Sequence, residues 1–344
     1  MAEAPSAHAI EPERLAHWLR ATLGIEGPLT IEKFPGGQSN PTFLISSPAH
    51  RYVLRRKPPG TLLPSAHLIE REYRVLAALA VTDVPVARVY ALCEDPGVIG
   101  SAFYLMDYVP GRIFWDAALP EVTAAERRPI YEEMLRVLAR LHALDPAAAG
   151  LADYGKHERF IERQIDRWSR QYRAAEQERL PAMEQLIEWL PRHVPAEEPV
   201  RLVHGDYRLD NVIFDAHAPR IRAVLDWELS TLGAPLTDLA YFCMRFHLPV
   251  ADWGGLAGLE LEALGIPGEA ECVAHYCRER GCEPPATQVW AYYLAFGMFR
   301  LVSILTGVLA RGRAGNASNA SAEAAGRRAA PLATLAWQLI ERRS

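Results

Sequence analysis

Short strand patterns fill the sequence from residue 29 to about 109, and long helical patterns fill most of the chain beyond that point. The change comes at Pro110 and Gly111, where alternation of apolar and polar residues gives way to amphipathic stretches with helical periodicity. This arrangement predicts an α+β fold with two lobes. We place a small, β-rich N-terminal lobe at residues 1–109 and a large, mainly helical C-terminal lobe at residues 110–344.

The composition is that of a folded protein. The chain has 344 residues, of which 50% are hydrophobic and 23% are charged, and these values exclude a disordered or collagen-like protein. The formal net charge is −5, so no overall basic field favours nucleic acid as a partner. Five cysteines, an odd number scattered along the chain, argue against a disulfide scaffold and indicate a reducing, cytoplasmic location.

One apolar stretch, residues 289–310, is nearly long enough to cross a bilayer. Arg300 lies in its middle, and a guanidinium at the centre of a span costs about 2.5–3.5 kcal/mol on insertion scales. We therefore predict a buried helix of the C-terminal lobe, no membrane association, and a partner for the Arg300 charge. The first residues of the chain contain neither a basic region nor an apolar run, so no secretory signal is predicted.

The string HGDYRLDN and the LDW further along the chain form the most specific pattern in the sequence. A predicted strand, a polar turn and a predicted hairpin bring Asp206, Asn211 and Asp226 to the ends of strands that are expected to pack together. Phosphoryl transfer from ATP needs such a set, because a carboxylate must orient the attacking hydroxyl and hard oxygen ligands must hold Mg²⁺. Turn formation is the alternative role for these residue types, and it accounts better for Asp210 and Asp215.

HGDYRLDN with the later LDWE resembles the aminoglycoside phosphotransferase and choline kinase-like superfamily. The resemblance implies a two-lobed protein-kinase-like fold that uses ATP and Mg²⁺. It also implies that Asp206 is the catalytic base and that Asn211 and Asp226 are magnesium ligands. We expect His204 to hold the backbone of this loop by hydrogen bonding, and Asp238 to cap a helix beneath it.

A glycine-rich turn before the second predicted strand is the predicted phosphate-binding turn. Gly36 and Gly37 allow the backbone to approach phosphate, and Ser39 and Asn40 offer hydrogen-bond donors. Gln38 lies within the same turn and belongs to the same predicted site. Taken alone, the turn also fits an ordinary hairpin.

The strand RYVLRR supplies the next two candidates. Alternation puts Val53 and Arg55 on one face, where Val53 is predicted to cover the adenine and Arg55 to reach the phosphates. Protein kinases have a lysine at this place, but a guanidinium binds phosphate through two parallel hydrogen bonds and is always charged. Lys57 has the same parity and is the alternative phosphate contact, and a solvated basic strand end is the other interpretation.

A helix predicted at residues 66–80 carries Glu72 within its apolar stripe. A carboxylate on a buried face needs a partner, and Arg55 is the predicted one, as in the Lys–Glu pair of kinases. The alternative is a half-exposed Glu72. By resemblance to kinases, the backbone from Met106 to Tyr108 is expected to hydrogen-bond to adenine.

Longer strings, among them DWELSTLGAPLTDLAY, resemble the kinase-like domain fused to certain acyl-CoA dehydrogenases and its free-standing bacterial relatives. This resemblance implies an ATP- and Mg²⁺-dependent O-phosphotransferase that acts on a small-molecule hydroxyl. A hydroxyacyl compound or its CoA thioester is the expected acceptor. The alternatives are an aminoglycoside-type antibiotic kinase and a catalytically silent nucleotide-binding scaffold. The sequence does not indicate an oligomeric state.

The charge distribution does not choose between a cationic and an anionic acceptor. Residues 246–290 carry seven acidic residues and two arginines, whereas residues 300–344 carry seven arginines and two glutamates. Arg163, Arg167 and Arg170 recur at helical spacing, but acidic residues on the same predicted helix favour surface ion pairs over an anion-binding patch.

Overall fold

The structure is a computed structural model, and it describes residues 10–34, 40–58, 68–156, 158–176, 178–196, 199–313 and 319–342. The chain divides into two compact units. The first unit comprises Met1–Ile113, Ala149–Leu151 and Asn211–Ser230, and the second comprises Phe114–Ala148, Ala152–Asp210 and Thr231–Ser344. The α+β fold class predicted from the sequence is confirmed. The lobe boundary between residues 109 and 110 stays a prediction.

Within the described residues, strands and helices follow one another along the chain. The strands are β1 (Thr30–Lys33), β2 (Thr42–Ser46), β3 (Arg51–Arg56), β4 (Val89–Cys93), β5 (Phe103–Asp107), β6 (Arg201–Val203), β7 (Val212–Phe214), β8 (Ile221–Val224) and β9 (Thr231–Gly233). The helices are α1 (Pro12–Leu23), α2 (Ile69–Leu79), α3 (Pro96–Ile99), α4 (Ala124–Ala143), α5 (Phe160–Ala175), α6 (Pro181–Trp189), α7 (Leu236–Cys243), α8 (Val250–Trp253), α9 (Leu261–Leu264), α10 (Glu269–Arg280), α11 (Thr287–Arg313) and α12 (Asn319–Glu341).

The first unit is built on an antiparallel five-stranded sheet in the order β1-β2-β3-β5-β4. Phe43, Leu54 and Leu105 lie opposite one another across β2, β3 and β5, and they belong to the core that also contains Leu15 and Leu19 of α1. Because side chains alternate along a strand, the neighbouring residues of β3 point to the other face of the sheet. The sheet therefore covers a core on one face and leaves the other face for a site.

That other face carries two of the predicted nucleotide contacts. Val53 pairs with Met106, and Arg55 pairs with Thr42 and Tyr104. Their side chains share one face because they are two residues apart on β3, as the sequence predicted. A row of apolar and charged side chains thus runs side by side across β2, β3 and β5.

The β7–β8 hairpin belongs to the first unit and is attached to it by backbone hydrogen bonds. The Val224 amide donates to Pro85 O at 2.8 Å, and the Arg112 and Phe214 amides donate to each other's carbonyl oxygens, each at 2.8 Å. A Cβ on Gly111 would lie only 2.1 Å from Phe214 O, so this close approach requires glycine. The hairpin is held in one register on the rest of the unit.

The second unit consists mainly of helices, with β6 and β9 paired antiparallel. Its long helix α11 has the length and hydropathy of a membrane span, and 61% of its most apolar window is buried inside the protein. A core helix of this kind agrees with the burial predicted for residues 289–310. The guanidinium of Arg300 lies in the middle of this helix.

The simple composition of residues 312–331 predicts a flexible loop before the last helix, and this prediction is wrong for the part of the segment that the structure describes. Asn319 begins α12, which continues through this segment to Glu341. The segment is rich in alanine, and alanine has the highest intrinsic helix propensity. The simple composition was mistaken for a sign of disorder.

Candidate active site

A cavity of about 400 Å³ lies within the first unit, lined by residues of the sheet, of α2 and of the β7–β8 hairpin. Its apolar lining includes Val53, Leu76, Ala87, Met106, Ile213 and Val224. Its polar lining includes Asn40, Arg55, Asn211 and Asp226. Small-molecule sites are typically mostly apolar cavities of about 300–1,000 Å³ with a few polar groups. The cavity thus has the size and composition of a site for a small molecule that carries both apolar and charged groups.

Arg55 is the centre of a charged cluster in this cavity. Its Nε lies 3.1 Å from Glu72 Oε2, and its Nη2 lies 2.7 Å from Asp226 Oδ1 and 3.6 Å from Glu228 Oε2. Burial disfavours the Arg55 charge, but Glu72 and Asp226 more than offset this effect and raise its pKa. The predicted ion pair between Arg55 and Glu72 is present.

Glu72 is held by its ion pair with Arg55 and by two hydrogen-bond donors. Asn40 Nδ2 donates to Oε1 at 3.2 Å, and the Tyr104 hydroxyl donates to Oε2 at 2.9 Å. The Glu72 side chain is 1% exposed, and this burial raises its pKa to about 7 although Arg55 pulls the value down. A carboxylate with donors on both oxygens has a fixed orientation. Glu72 therefore positions Arg55.

Asp226 and Asn211 lie at the open end of the β7–β8 hairpin. The Leu225 amide donates to Asn211 O at 2.8 Å, so the residues that flank the hairpin are held together by the backbone. Asp226 has a left-handed backbone with φ 61° and ψ 62°, a conformation that Asp and Asn tolerate better than most residues. Strained backbone of this kind is often found at functional sites.

The carboxylates of Glu72, Asp226 and Glu228 form a potential cation site. One oxygen from each lies within 4.8 Å of the others. The guanidinium of Arg55 contacts all three carboxylates. Carboxylate and amide oxygens are the ligands that Mg²⁺ prefers, and Asn211 and Asp226 supply both. The residues present fit a divalent cation.

The HGD loop, residues 204–206, belongs to the second unit and is held by Asp238. Asp238 is buried, and its carboxylate accepts from the His204 amide at 2.6 Å and the Gly205 amide at 2.8 Å. The Asp206 amide donates to His204 Nδ1 at 3.1 Å, as expected for a histidine that holds this loop. The prediction that Asp238 caps a helix was wrong, because its oxygens bind the loop amides and α7 has no side-chain cap.

The Asp206 carboxylate is oriented by two neighbours in the second unit. The Tyr241 hydroxyl hydrogen-bonds to it, and Arg208 Nε lies 3.4 Å from its Oδ2. Its side chain remains 18% exposed, which leaves the carboxylate accessible from solvent. An accessible carboxylate with a fixed orientation is suited to accept a hydrogen bond from a substrate hydroxyl.

His142 contacts Asp238, the residue that holds the HGD loop, and its burial predicts that stability depends on pH. Its Nε2 lies 3.3 Å from Asp238 Oδ2 and its Nδ1 lies 2.7 Å from the Tyr276 hydroxyl. Burial lowers the pKa of His142 although Asp238 opposes the shift, whereas the ring in the unfolded chain binds a proton near pH 6.5. Below that pH the unfolded state binds more protons, so the free energy of unfolding should fall as the pH falls.

We expect His142→Gln to reduce this pH dependence, because glutamine does not titrate. Urea unfolding of both proteins between pH 5.5 and 7.5 measures the two slopes. Equal slopes for the wild type and His142→Gln would contradict the assignment of a neutral, buried ring. The exposed His193→Gln, on the same unit, serves as the control and should leave the slope of the wild type unchanged.

Comparison with known proteins decides the family. The family model described as the phosphotransferase enzyme family matches residues 30–276, which is most of the chain. The chain belongs to the phosphotransferase enzyme family. This membership confirms the superfamily predicted from HGDYRLDN and LDWE.

Two close relatives extend the comparison of this phosphotransferase. It is 46% identical over 333 residues to acyl-CoA dehydrogenase family member 10 of Mus musculus, and the match covers 96% of this chain but 31% of that protein. The chain thus spans about a third of the length of that relative. It is 48% identical to a Ralstonia eutropha protein of known crystal structure, named provisionally as an aminoglycoside phosphotransferase. That match covers 98% of this chain and 100% of the other, with a TM-score of 0.89.

A more distant structure shares the fold of this phosphotransferase. Aminoglycoside phosphotransferase APH(4)-Ia, in a ternary complex with AMP-PNP and hygromycin B, is 16% identical with a TM-score of 0.61. The match covers 93% of this chain and 98% of that one. The kinase-like fold predicted from the sequence is confirmed, and the fold supports a kinase-type activity on a small molecule.

Several predicted site residues of the phosphotransferase line the cavity and others do not. Asn40, Val53, Arg55, Met106 and Tyr108 line it, as do Asn211 and Asp226, and Glu72 contacts it through Arg55. Gly36, Gly37, Gln38 and Ser39 lie outside the described residues. Lys57, the alternative phosphate contact, instead forms an ion pair with Glu70.

The adenine contact expected of the backbone from Met106 to Tyr108 stays a prediction, and two amides of this segment form hydrogen bonds within the first unit. The Asp107 amide donates to Arg88 O at 2.9 Å, and the Tyr108 amide donates to Arg51 O at 3.4 Å. A hydrogen bond of 3.4 Å is weak. Of these two amides, only that of Tyr108 is readily available to a bound base.

Sequence reasoning missed Tyr104, Glu228 and Tyr241. Tyr104 lies two residues before Met106 on β5, so the same alternation that placed Met106 in the site also placed Tyr104 there. Glu228 is the last residue of the quoted string LDWE. No local signal marked Tyr241, whose contact with Asp206 joins residues far apart in the sequence.

Proposed function

We propose that this phosphotransferase transfers the γ-phosphoryl group of ATP to a hydroxyl group of a small molecule, with Mg²⁺ as the metal. The observation that carries the proposal is the position of Arg55, which lies in an apolar cavity of nucleotide size between Glu72 and Asp226. This arrangement supports the binding of a triphosphate and its metal ion next to each other, at the charged end of the cavity. Solved structures with this fold include complexes with adenine nucleotides.

When a nucleotide binds, Arg55 would exchange its contact with Asp226 for a contact with phosphate. With Glu72 fixed by Asn40 and Tyr104, the Arg55–Glu72 pair supplies a stable base for the guanidinium. The Arg55 contact with Asp226, at 2.7 Å, joins two groups that are both proposed to serve the phosphates and their metal. In the nucleotide complex Arg55 Nη2 would bind phosphate oxygen, and the Asp226 carboxylate would become available to the cation.

Asn211 and Asp226 would hold the Mg²⁺ ion, with Glu228 near enough to assist. Bound there, the ion would neutralise charge on the β- and γ-phosphates. The Asp226 backbone conformation supports this role, because an αL residue two positions after the end of β8 aims its carboxylate differently from an extended strand residue.

Asp206 would orient the acceptor. The acceptor oxygen attacks the γ-phosphorus, the bond from that phosphorus to the β–γ bridging oxygen breaks, and ADP leaves with that electron pair. The hydroxyl proton passes to the Asp206 carboxylate, which Tyr241 and Arg208 hold in place. Positioning and electrostatic stabilisation account for most of the catalysis in reactions of this type.

The acceptor is proposed to be a hydroxyacyl compound or its CoA thioester. The support is the 46% identity to a protein named as an acyl-CoA dehydrogenase family member. An aminoglycoside acceptor has the support of the provisional name of the 48% identical Ralstonia eutropha protein, and otherwise of the names of distant structures that share only the fold. We therefore rank the hydroxyacyl compound first.

Activity and acceptor can be tested together. The purified chain is incubated with γ-labelled ATP, Mg²⁺ and a metabolite extract, and any phosphorylated product is identified by mass. We expect a labelled product that depends on Mg²⁺ and disappears with EDTA. Mg²⁺-dependent ATP binding without any product, from the extract or from a panel of hydroxyacyl compounds and aminoglycosides, would contradict the proposal and favour a silent scaffold.

A further inference from the structure

Arg300 has no acidic partner among the residues that the structure describes. It lies in the middle of α11, where most neighbouring side chains are buried. In the described ranges it forms no ion pair, and its Nε is buried without a hydrogen-bond partner. A buried, charged donor without an acceptor lowers the stability of the folded protein. Such a group therefore calls for an explanation, for example a role in ligand binding.

A second arginine contacts the same aromatic ring as Arg300. The Arg300 guanidinium carbon is 5.5 Å from the centre of the Trp168 ring, and that of Arg167 is 5.1 Å from the same ring. Trp168 is buried, and its Nε1 donates to Gln164 Oε1 at 3.1 Å, so the indole is a fixed support. Loss of hydration and the charge of Arg300 lower the pKa of Arg167.

Arg167 differs from the other arginines on α5. Arg170 pairs with Asp166 at 2.9 Å, which is the kind of surface ion pair predicted for this helix, whereas Arg163 donates to the backbone oxygen of Lys156. Arg167 forms no ion pair among the described residues. Two guanidiniums contact the same indole ring, and no described acid is paired with either of them. Two like charges so placed attract an anion, which can accept hydrogen bonds from both.

This pair of arginines is connected to the proposed catalytic base. The Arg300 guanidinium carbon lies 5.4 Å from the centre of the Tyr241 ring, and the Tyr241 hydroxyl hydrogen-bonds to the Asp206 carboxylate. Tyr241 therefore stands between the arginine pair and the group that would receive the acceptor hydroxyl. An acceptor with its hydroxyl at Asp206 extends over one aromatic ring to reach Arg300.

We infer that Arg300 and Arg167 form a subsite that binds a negatively charged group, a carboxylate or a phosphate, carried by the hydroxyl acceptor. The inference rests on the proposed function of Asp206 and narrows its acceptor to an anion. A polycationic acceptor would meet two unneutralised guanidiniums here. The fork of an arginine offers parallel N–H groups to a carboxylate or phosphate, which a neutral group of equal size does not match.

The experiment measures binding without phosphoryl transfer, so that it remains informative if the proposed function fails. Calorimetric titrations of the full chain use 6-hydroxyhexanoate, its neutral counterpart 1,6-hexanediol, coenzyme A and inorganic phosphate. We expect at least one anionic probe to bind more tightly than hexanediol. Preference for 6-hydroxyhexanoate identifies a carboxylate as the ligand, and preference for coenzyme A or inorganic phosphate identifies a phosphate.

Arg300→Gln should weaken binding of the preferred anion about 10- to 100-fold, because charge-assisted hydrogen bonds are lost. Hexanediol binding should not change, and Arg300→Lys should restore part of the lost affinity. Arg170→Gln, at the ion pair on α5, is the matched control and should bind all probes as the wild type does. Circular dichroism and thermal midpoints check the fold. Arg167→Gln, at a position that is more exposed than that of Arg300, gives a second test with a loss of at least about threefold.

Two results would overturn the inference. One is a wild type that binds none of the three anions more tightly than hexanediol. The other is equal anion binding by Arg167→Gln, Arg170→Gln and any folded Arg300→Gln. If anions bind through Arg300 but no phosphorylated product forms with ATP and Mg²⁺, the subsite stands and the proposed transfer reaction fails.

Discussion

Replacing Asp206 with Asn should lower kcat for phosphoryl transfer about 10²- to 10⁴-fold and leave the Kd for ATP within about twofold. Asparagine has the size of aspartate and can keep a hydrogen bond to Tyr241, so the HGD loop should retain its structure. It cannot accept the proton of the acceptor hydroxyl. Single-turnover assays with labelled ATP measure the rate of transfer, and calorimetry measures ATP binding.

Asp215→Asn is the matched control for this substitution. Asp215 lies in the turn of the β7–β8 hairpin, where its Oδ1 accepts from the His217 amide at 2.9 Å, as the turn-forming role predicted. Its replacement should leave kcat unchanged. Turnover by Asp206→Asn within a factor of about five of the wild type would exclude Asp206 as the base.

The first half of the site was predictable because local periodicity determines it. The parity of β3 placed Val53 and Arg55 on one face, and the apolar stripe of α2 placed Glu72 on the buried side. A buried carboxylate needs a cation, and Arg55 was the available one. The predicted pair is present at 3.1 Å. Strand β3 and helix α2 each have one buried face, and these faces can pack together in only a few ways.

Contacts between distant segments were not predictable in the same way. Asp238 was expected to cap its own helix, because Asp near a helix start often does so. Its carboxylate instead binds amides more than thirty residues earlier in the chain, at 2.6 and 2.8 Å. Buried amides of an irregular loop must find acceptors, and only the tertiary fold determines which acceptor is near.

The neighbours of Arg300 could be predicted from the sequence only in part. A charge in the middle of an apolar helix predicted a partner, and the structure offers aromatic rings and a second arginine instead of an acid. The expectation of a partner therefore led to the proposed anion subsite. The sequence located the unsatisfied charge, but it could not identify Trp168 and Tyr241 as its neighbours, because they lie on α5 and α7.

Arg55 contacts all three carboxylates of the charged cluster in the first unit. Glu72 is fixed by Asn40 and Tyr104, so displacement of Arg55 by a nucleotide affects Asp226 more than Glu72. The Arg55–Asp226 contact then has two roles. It joins two segments of the first unit in the structure, and under the proposed function it would link phosphate binding to the availability of Asp226 for the metal.

Asp226→Asn should therefore remove the effect of Mg²⁺ on ATP binding and lower kcat/KM by at least about 10³-fold, since the metal supplies several kcal/mol of charge stabilisation in such reactions. Asparagine tolerates the αL backbone at φ 61°, so the turn after β8 should persist. Titrations of ATP at increasing Mg²⁺ concentration give the Kd for the variant and for the wild type. Glu94→Gln, an exposed acid of the same unit, should respond to Mg²⁺ as the wild type does. The substitution replaces the negative charge of Asp226 with a neutral amide at the same position. If ATP binding to Asp226→Asn still tightens with Mg²⁺ as strongly as in the wild type, Asp226 is not the metal ligand.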